Sequence, residues 1–463
     1  MKSLPFLFIT LFSALSLSAE ERPNVLLIYV DDLGYGDLAV QGHPVLQTPH
    51  LDRLAGEGLR LTRYYAPSAL CSPSRASLMT GRMPYRTGVK SWIPEGSGIY
   101  LKENETTIAE LLRDSGYATA LIGKWHLNSD LGDASQPQPK DHGFDFSYGN
   151  NAFQIPTNHN PTNIFRNGEA LPVQEGYTAQ LYVDEAMSWL DSQAPEEKPF
   201  FLFLSMNEPH TTIENPAEFN ALYSEYTDGE IIPIPSGEGV PKEKLIPRGP
   251  GEYYANITYM DFQLGRLLED LERRGLAENT LVVFASDNGA VTSDWINWWE
   301  VNAYGSTGGY RGRKHFLYDG GLRVPAILKL PGVIESGESD EFVIGMDIFN
   351  TIAGLCGVEV PTDRPIDGID ISPLFQGGSL QRKVATLWAL PTPEGKDFAY
   401  REGDWKLLLD SDGSPVELYD LKSDPLELFD LLDSQSEKGA ELAEGFRSKL
   451  AEIQADPLLS EDS

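Results

Sequence analysis

Four apolar runs, each ending abruptly in charged or polar residues, constrain this chain more than any other feature. Pro23–Val30 (PNVLLIYV) runs into Asp31-Asp32, and Tyr117–Gly123 (YATALIG) runs into Lys124-Trp125-His126. Pro199–Met206 (PFFLFLSM) runs into Asn207-Glu208-Pro209-His210, and Thr280–Ser286 (TLVVFAS) runs into Asp287-Asn288-Gly289. Runs of this length without polar alternation suit strands buried on both faces. Helical patterns lie between them: one opening at Thr48-Pro49, one from Thr106 to Gly116, Thr178–Gln193 and Tyr253–Gly275. The alternation predicts an α/β fold, a large and mostly parallel central sheet with helices on both faces. Ligands of such sheets bind beyond the carboxyl ends of the strands. All four polar clusters are therefore expected on one edge.

After about Val384 the texture changes. VATLWAL, FAYREGDWKLLL and PVELYDL read as short strands with a turn at Asp412-Gly413, and Glu437–Gln454 reads as a helix. A small C-terminal antiparallel sheet with a packed helix follows, giving a main unit over 20–383 and a C-terminal subdomain over 384–463. Residues 1–19 read as a secretory signal: Met1-Lys2, an apolar Leu4–Leu17, then Ser18-Ala19 before Glu20. The expected location is periplasmic or extracellular. No later stretch of about 20 apolar residues exists, so no stable membrane insertion is expected. The net charge of −33 argues against nucleic acid as a partner, and means an anionic substrate must meet a local basic pocket.

Asp31, Asp32 and Asp287 would repel one another on a shared edge unless a cation sat among them. With Asn288 they offer hard oxygen ligands, which makes Ca²⁺ the first choice and Mg²⁺ the second. Lys124 and His126 are two apart, on one side of an extended segment, and His210 follows Pro209 at another strand end. Lys314 lies in a Gly- and Arg-rich loop, YRGRKHFLYDGGLRVP. Of the two cysteines, Cys356 in TIAGLCGV reads as a small buried residue. Cys71 is different. It stands in the polar turn LCSPSRASLMTGR, where Pro73 fits the first turn of a helix that closes at Gly81. A thiolate nucleophile at a helix N-terminus is one reading; a buried cysteine is another, disfavoured by the polar flanks.

The segment Cys71-Ser72-Pro73-Ser74-Arg75, with Leu78 and Gly81 following, resembles the signature of the type I, formylglycine-dependent sulfatases. The other clusters match in order: DD after the first strand, GKWH, PH, SDNG, and the lysine of RGRKHFLYDGGLRVP. The resemblance spans nearly the whole mature chain. It implies an alkaline-phosphatase-like fold and a sulfuric ester hydrolase. It also implies that Cys71 is oxidised to formylglycine by a dedicated formylglycine-generating enzyme, a partner during maturation. One hydroxyl of the hydrated aldehyde attacks sulfur; the second allows sulfate to be expelled. By the same resemblance Asp31, Asp32, Asp287 and Asn288 bind Ca²⁺, with the matured residue 71 beside them as a further ligand. Arg75 orients that residue, Lys124 and Lys314 clamp sulfate, His126 is the base for elimination and His210 the acid for the leaving alcohol. Two departures stand out. Asp319 replaces the family's usual Glu before the Gly pair, and DPLELFDL lacks its usual Glu-x-x-Asn.

The expected substrate is a sulfated glycan or a small sulfate ester. Trp92, Trp295, Trp298 and Trp299 could offer faces for sugar rings. Asn150, Asn151, His159 and Arg166, in a polar stretch, could read sugar hydroxyls or a second anion. Two alternatives remain open at this point. One is a phosphomonoester, phosphodiester or phosphonate hydrolase on the same fold. The other is a secreted glycan-binding protein with an inactive site.

Overall fold

The computed structural model describes residues 22–193, 198–226, 231–233, 245–247, 250–291 and 301–460. The signal reading at 1–19 and the readings at Trp295, Trp298 and Trp299 lie outside the described residues. No helix among the described residues is long and apolar enough to cross a membrane.

A ten-stranded sheet organises the molecule. In chain order its strands are β1 (Asn24–Val30), β2 (Leu59–Leu61), β3 (Ala118–Gly123), β4 (Phe146–Gly149), β5 (Phe165–Arg166), β6 (Glu169–Ala170), β7 (Phe200–Ser205), β8 (Thr280–Ser286), β9 (Ala326–Lys329) and β10 (Gly337–Ser339). Their order in space is β10-β2-β9-β8-β1-β7-β3-β4-β5-β6. The centre, β8-β1-β7-β3-β4, is parallel throughout. The antiparallel pairings β8/β9, β9/β2, β4/β5 and β5/β6 lie to either side.

The apolar runs behave as their composition demands. Along β1, Val25, Leu27 and Tyr29 enter one hydrophobic core, while Leu26, Ile28 and Val30 enter another on the opposite face. Strands β7 and β8 split the same way: Phe201, Phe203, Leu281 and Val283 on one side, Leu202, Leu204, Val282 and Phe284 on the other. Each such side chain, fully withdrawn from water, stabilises by about 1.5–3 kcal/mol. Helices α1 (Pro49–Glu57), α4 (Thr178–Gln193) and α5 (Pro250–Arg273) cover one face. Helices α2 (Cys71–Thr80), α3 (Ile108–Asp114) and α6 (Asp347–Cys356) cover the other. Helix α3 carries a reciprocal capping box between Thr107 and Glu110. Cys356 is fully buried, as its apolar setting predicts.

A second, four-stranded antiparallel sheet follows: β11 (Thr386–Ala389), β12 (Phe398–Glu402), β13 (Trp405–Leu409) and β14 (Pro415–Asp420). Helix α7 (Ser436–Gln454) packs on it through Leu442, Phe446 and Ile453. Its core is continuous with Tyr65, Leu70 and Met83 of the main unit, and Trp388 Nε1 donates to Ala66 O at 3.0 Å. Both departures from the family pattern have work in this region. Asp319, buried, accepts from Tyr65 Oη (2.6 Å) and pairs with Lys406 of β13 (3.0 Å). Asp430 Oδ1 accepts the N–H groups of Leu418 and Leu432, both at 2.9 Å.

Candidate active site

Strand register builds the site. Tyr29 lies opposite Ser205 and Ala285, Val30 opposite Ser286, and Gly123 opposite Ser205. The residues after β1, β3, β7 and β8 therefore leave the sheet at one level. Gly123 is required there. It has φ +112, and a Cβ would lie 1.8 Å from Ser205 O. Without it Lys124 N–H could not reach Ser205 O at 2.7 Å.

Helix α2 delivers Cys71 to this edge. Leu70 is extended, the helix begins at Cys71, and Gly81 closes it at φ +70 with its N–H on Ser77 O. All ten residues of α2 are buried. The polar flanks do not keep Cys71 in water, as the sequence suggested; it is only 4% exposed. The serines are buried because each has a partner. Ser72 Oγ accepts Ile93 N–H (3.1 Å), Ser74 Oγ bridges the N–H and C=O of Ser68, and Ser77 Oγ donates to Arg82 O (2.6 Å).

Arg75, one turn into α2, is the central cation. Its Nε and Nη2 both donate to Asp287 Oδ2, at 3.1 and 2.8 Å, and its Nη1 donates to Ser205 Oγ (2.5 Å) and Lys124 O (3.3 Å). The guanidinium lies over the Tyr29 ring, 5.5 Å from its centroid. Lys124 Nζ pairs with Asp31 Oδ2 at 2.6 Å, and Lys314 Nζ with Asp32 Oδ1 at 2.5 Å. Asn288 Nδ2 donates to Asp32 Oδ1 (2.7 Å), and Asp287 Oδ1 accepts Asp32 N–H (3.2 Å). Ligand atoms of Asp31, Cys71 and Asp287 all lie within 4.8 Å of one another.

The electrostatics are those of a crowded anionic cluster. Burial alone would raise the Asp31 carboxyl, but Lys124, with His210, Arg75 and Lys314, holds it well below the ordinary range. Burial and the Asp31 charge push Asp287 up to about 7, against Arg75. Each of the three buried carboxylates faces one cation: Asp31 faces Lys124, Asp32 faces Lys314 and Asp287 faces Arg75. Asp31 Oδ1 and Asn288 Oδ1 are buried without a hydrogen-bond partner. A hard divalent cation fits this donor set. Burial raises the Cys71 thiol, with Lys124 and Lys314 only partly opposing it. Burial thus works against the thiolate form that a cysteine nucleophile would need.

His126 and His210 present opposite faces of the same chemistry. His126 Nε2 lies 3.1 Å from Ile93 O. A carbonyl only accepts, so Nε2 carries the hydrogen and Nδ1 keeps its lone pair. Nδ1 is buried without a partner, and burial with Lys124 and Arg75 nearby keeps the ring neutral. His210 Nδ1 likewise donates to Thr211 O (2.5 Å), leaving Nε2 3.7 Å from Asp32 Oδ2. Burial lowers the His210 pKa, while Asp31 and Asp32 oppose that shift. Asp32 (φ +69) and His126 (φ +55) are both left-handed. Such backbone costs about 1–3 kcal/mol per residue and persists where surrounding structure enforces it.

Ser205, Tyr29 and the Ile93 carbonyl also belong to the site and were not read from the sequence. Ser205 carried a signal: it closes an otherwise Phe/Leu strand, immediately before the polar cluster. The substrate candidates divide. Trp92 is 46% exposed and adjoins Ile93, whose carbonyl holds His126. Asn150 lies at the end of β4, its carbonyl accepts Trp125 N–H (3.0 Å), and its side-chain oxygen and nitrogen are buried without partners. Asn151 Nδ2 donates to Asn128 O. His159 is stacked on Tyr177 (4.3 Å) with Nδ1 3.2 Å from Glu214, a structural pairing. Arg166 is not brought to the site. It pairs with Glu185 (2.6 Å) and lines a surface cleft with Ala118 and Thr119, at the opposite, starting end of β3. Short β5, next to the last strand of the sheet, carries it, which composition did not reveal.

Known proteins resemble this chain in sequence and fold. The sulfatase family model matches residues 23–358, and a model described as N-sulphoglucosamine sulphohydrolase, C-terminal, matches 309–456. Arylsulfatase A of Bos taurus is 32% identical, over 95% of this chain and 89% of its own. N-acetylgalactosamine-6-sulfatase of Mus musculus is 32% identical, over 82% of this chain and 71% of its own. Among solved structures, Ps i-CgsB superposes with a TM-score of 0.78 at 26% identity, covering 92% of each chain. The phosphonate monoester hydrolase of Agrobacterium radiobacter shares the fold, with a TM-score of 0.65 at 21% identity over 95% of this chain and 97% of its own. With the family matched across most of its length and the strand-edge clusters in place, the chain belongs to the sulfatase family of enzymes.

Proposed function

We propose that this sulfatase removes sulfate from a sulfated carbohydrate, using formylglycine matured from Cys71 by a formylglycine-generating enzyme. The observation that carries the reading is the setting of Cys71: buried at a helix start, against carboxylates and two lysines, with its thiol disfavoured as an anion. The matured residue supplies a hydrated aldehyde, whose first hydroxyl attacks sulfate and whose second allows its release.

The remaining groups then have defined tasks. Asp31, Asp32, Asp287 and Asn288 would hold Ca²⁺, with residue 71 beside it. When bound, the ion supplies positive charge for the sulfate oxygens and relieves the repulsion among the carboxylates. Arg75 fixes the residue-71 turn against β7 and β8. Lys124 and Lys314 meet the anionic sulfate, answering the need for a local basic pocket in a chain of net charge −33. His126, neutral with a free Nδ1 lone pair, takes the proton that release requires. His210 Nε2 delivers a proton to the departing alcohol.

Relatives named N-acetylgalactosamine-6-sulfatase support a carbohydrate; one solved neighbour with a TM-score of 0.78 at 25% identity is described in complex with k-i-k-neocarrahexaose. Trp92 and Asn150 are assigned to substrate contact. Residues 20–383 form the catalytic unit and 384–463 the appended subdomain, with 1–19 directing export. The test is a side-by-side rate comparison on an aryl sulfate and the matching aryl phosphate. Preference for sulfate is expected; preference for phosphate would replace this reading with phosphoryl chemistry.

A further inference from the structure

Glu208 is fully buried, two residues before His210, and the proposed reaction does not use it. Its carboxylate turns away from the metal cluster toward helix α4. Oε1 accepts Thr178 Oγ1 (2.5 Å) and Ala179 N–H (3.0 Å), the first two residues of that sixteen-residue helix. A carboxyl oxygen there satisfies a first-turn N–H that has no partner within the helix and meets the positive end of the helix dipole. Its neighbour makes a second attachment to the same helix: Asn207 Oδ1 accepts from Tyr182 Oη at 2.7 Å.

The backbone of the same turn reaches the reaction centre. Glu208 O accepts Asp31 N–H at 3.2 Å, and His210 N–H donates back to Asn207 O at 2.8 Å. Helix α4, the turn 207–210 and the end of β1 are thus joined through two adjacent side chains. His210 is the group they suspend over Asp32.

We propose that Glu208 is a positioning residue for His210, anchoring the 207–210 turn to the start of α4 so that Nε2 stands where the alcohol departs. This rests on His210 acting as the acid in the sulfatase reading. Small displacements of a catalytic group are costly: about 1 Å can lower a rate by about 10²-fold. The loss should fall on the step His210 serves and grow as the leaving group becomes more basic.

The test is kcat/KM for ring-substituted phenyl sulfates, from the 4-nitrophenyl to the 4-methoxyphenyl ester. Wild type, Glu208→Gln, Glu208→Ala, Thr178→Val and His210→Ala are compared. Each variant is scored by the ratio of the two rates on one preparation, so the fraction of folded, matured enzyme cancels. Glu208→Ala should lower the 4-methoxyphenyl rate about tenfold more than the 4-nitrophenyl rate, a fraction of the about 10²–10⁴-fold that general acid catalysis supplies. Glu208→Gln and Thr178→Val should shift the ratio the same way, and His210→Ala further. Ratios within twofold of wild type in all Glu208 and Thr178 variants, with His210→Ala shifted, would overturn the positioning role alone. An unshifted His210→Ala would overturn the acid assignment and this role with it. A wild-type enzyme that cleaves neither ester would overturn the sulfatase reading first.

Discussion

Arg75 places two nitrogens on a single oxygen of Asp287, at 3.1 and 2.8 Å, with both side chains fully buried. The pair joins the helix that carries residue 71 to the strand that carries the proposed metal ligands. Removing the cation leaves an uncompensated buried carboxylate. Arg75→Ala is expected to cost about 3–5 kcal/mol of stability, measured by denaturant unfolding. Arg75→Lys should also lose activity, since an ammonium cannot reach Asp287, Ser205 and the Lys124 carbonyl together. Unchanged stability in Arg75→Ala would show that the pair is not structural.

Lys314 sits 2.5 Å from Asp32, and the Asp32 and Asp31 carboxylates keep it charged despite burial. As one of two cations proposed to meet sulfate, it should contribute as a preorganised oxyanion donor. Lys314→Ala is expected to lower kcat/KM by about 10²–10³-fold. A loss below about threefold would remove it from the site's chemistry.

Removing the proposed metal should have two readouts. Chelation should abolish turnover, and Ca²⁺ should restore it. The same titration should move the thermal midpoint, because an ion bound only by the folded state stabilises by about 2.7 kcal/mol at a hundred times its dissociation constant. Full activity in demonstrably metal-free protein would exclude the ion from this cluster.

His142 gives a pH dependence away from the active cluster. It is buried, with Nε2 3.2 Å from Leu101 O, and burial lowers its pKa to about 4. The unfolded chain, with a pKa near the ordinary 6.5, binds the proton first as pH falls. Its contribution is therefore complete above about pH 6.5 and is lost between there and about pH 4, about 3 kcal/mol in all. Denaturant unfolding at pH 7 and pH 4.5 should show this decline in wild type and a smaller one in His142→Gln. An equal decline in both would place the acid sensitivity elsewhere.

The four central strands and their charged ends were legible in the sequence for a physical reason. Strands buried on both faces cannot alternate polarity, so their limits show as sharp changes of composition at Asp31, Lys124, Asn207 and Asp287. The outer strands had no such mark. Leu59–Leu61 and Phe165–Arg166 are too short for periodicity, and only their pairing with neighbouring strands defines them. The setting of Arg166, paired with Glu185, was not legible for that reason. The burial of Cys71 was not legible because hydrophilic flanks suggest exposure, whereas Ser72, Ser74 and Ser77 are buried with backbone partners at Ile93, Ser68 and Arg82. The union of the two sheets was equally hidden: it depends on pairs such as Arg82–Asp456 (3.0 Å) and Lys406–Asp319, which have no spacing rule.

The most direct measurement is the mass of the peptide spanning residue 71, isolated from active enzyme made in its natural host. The account predicts that the sulfur is gone and an aldehyde stands in its place. An unmodified cysteine in fully active protein would contradict it.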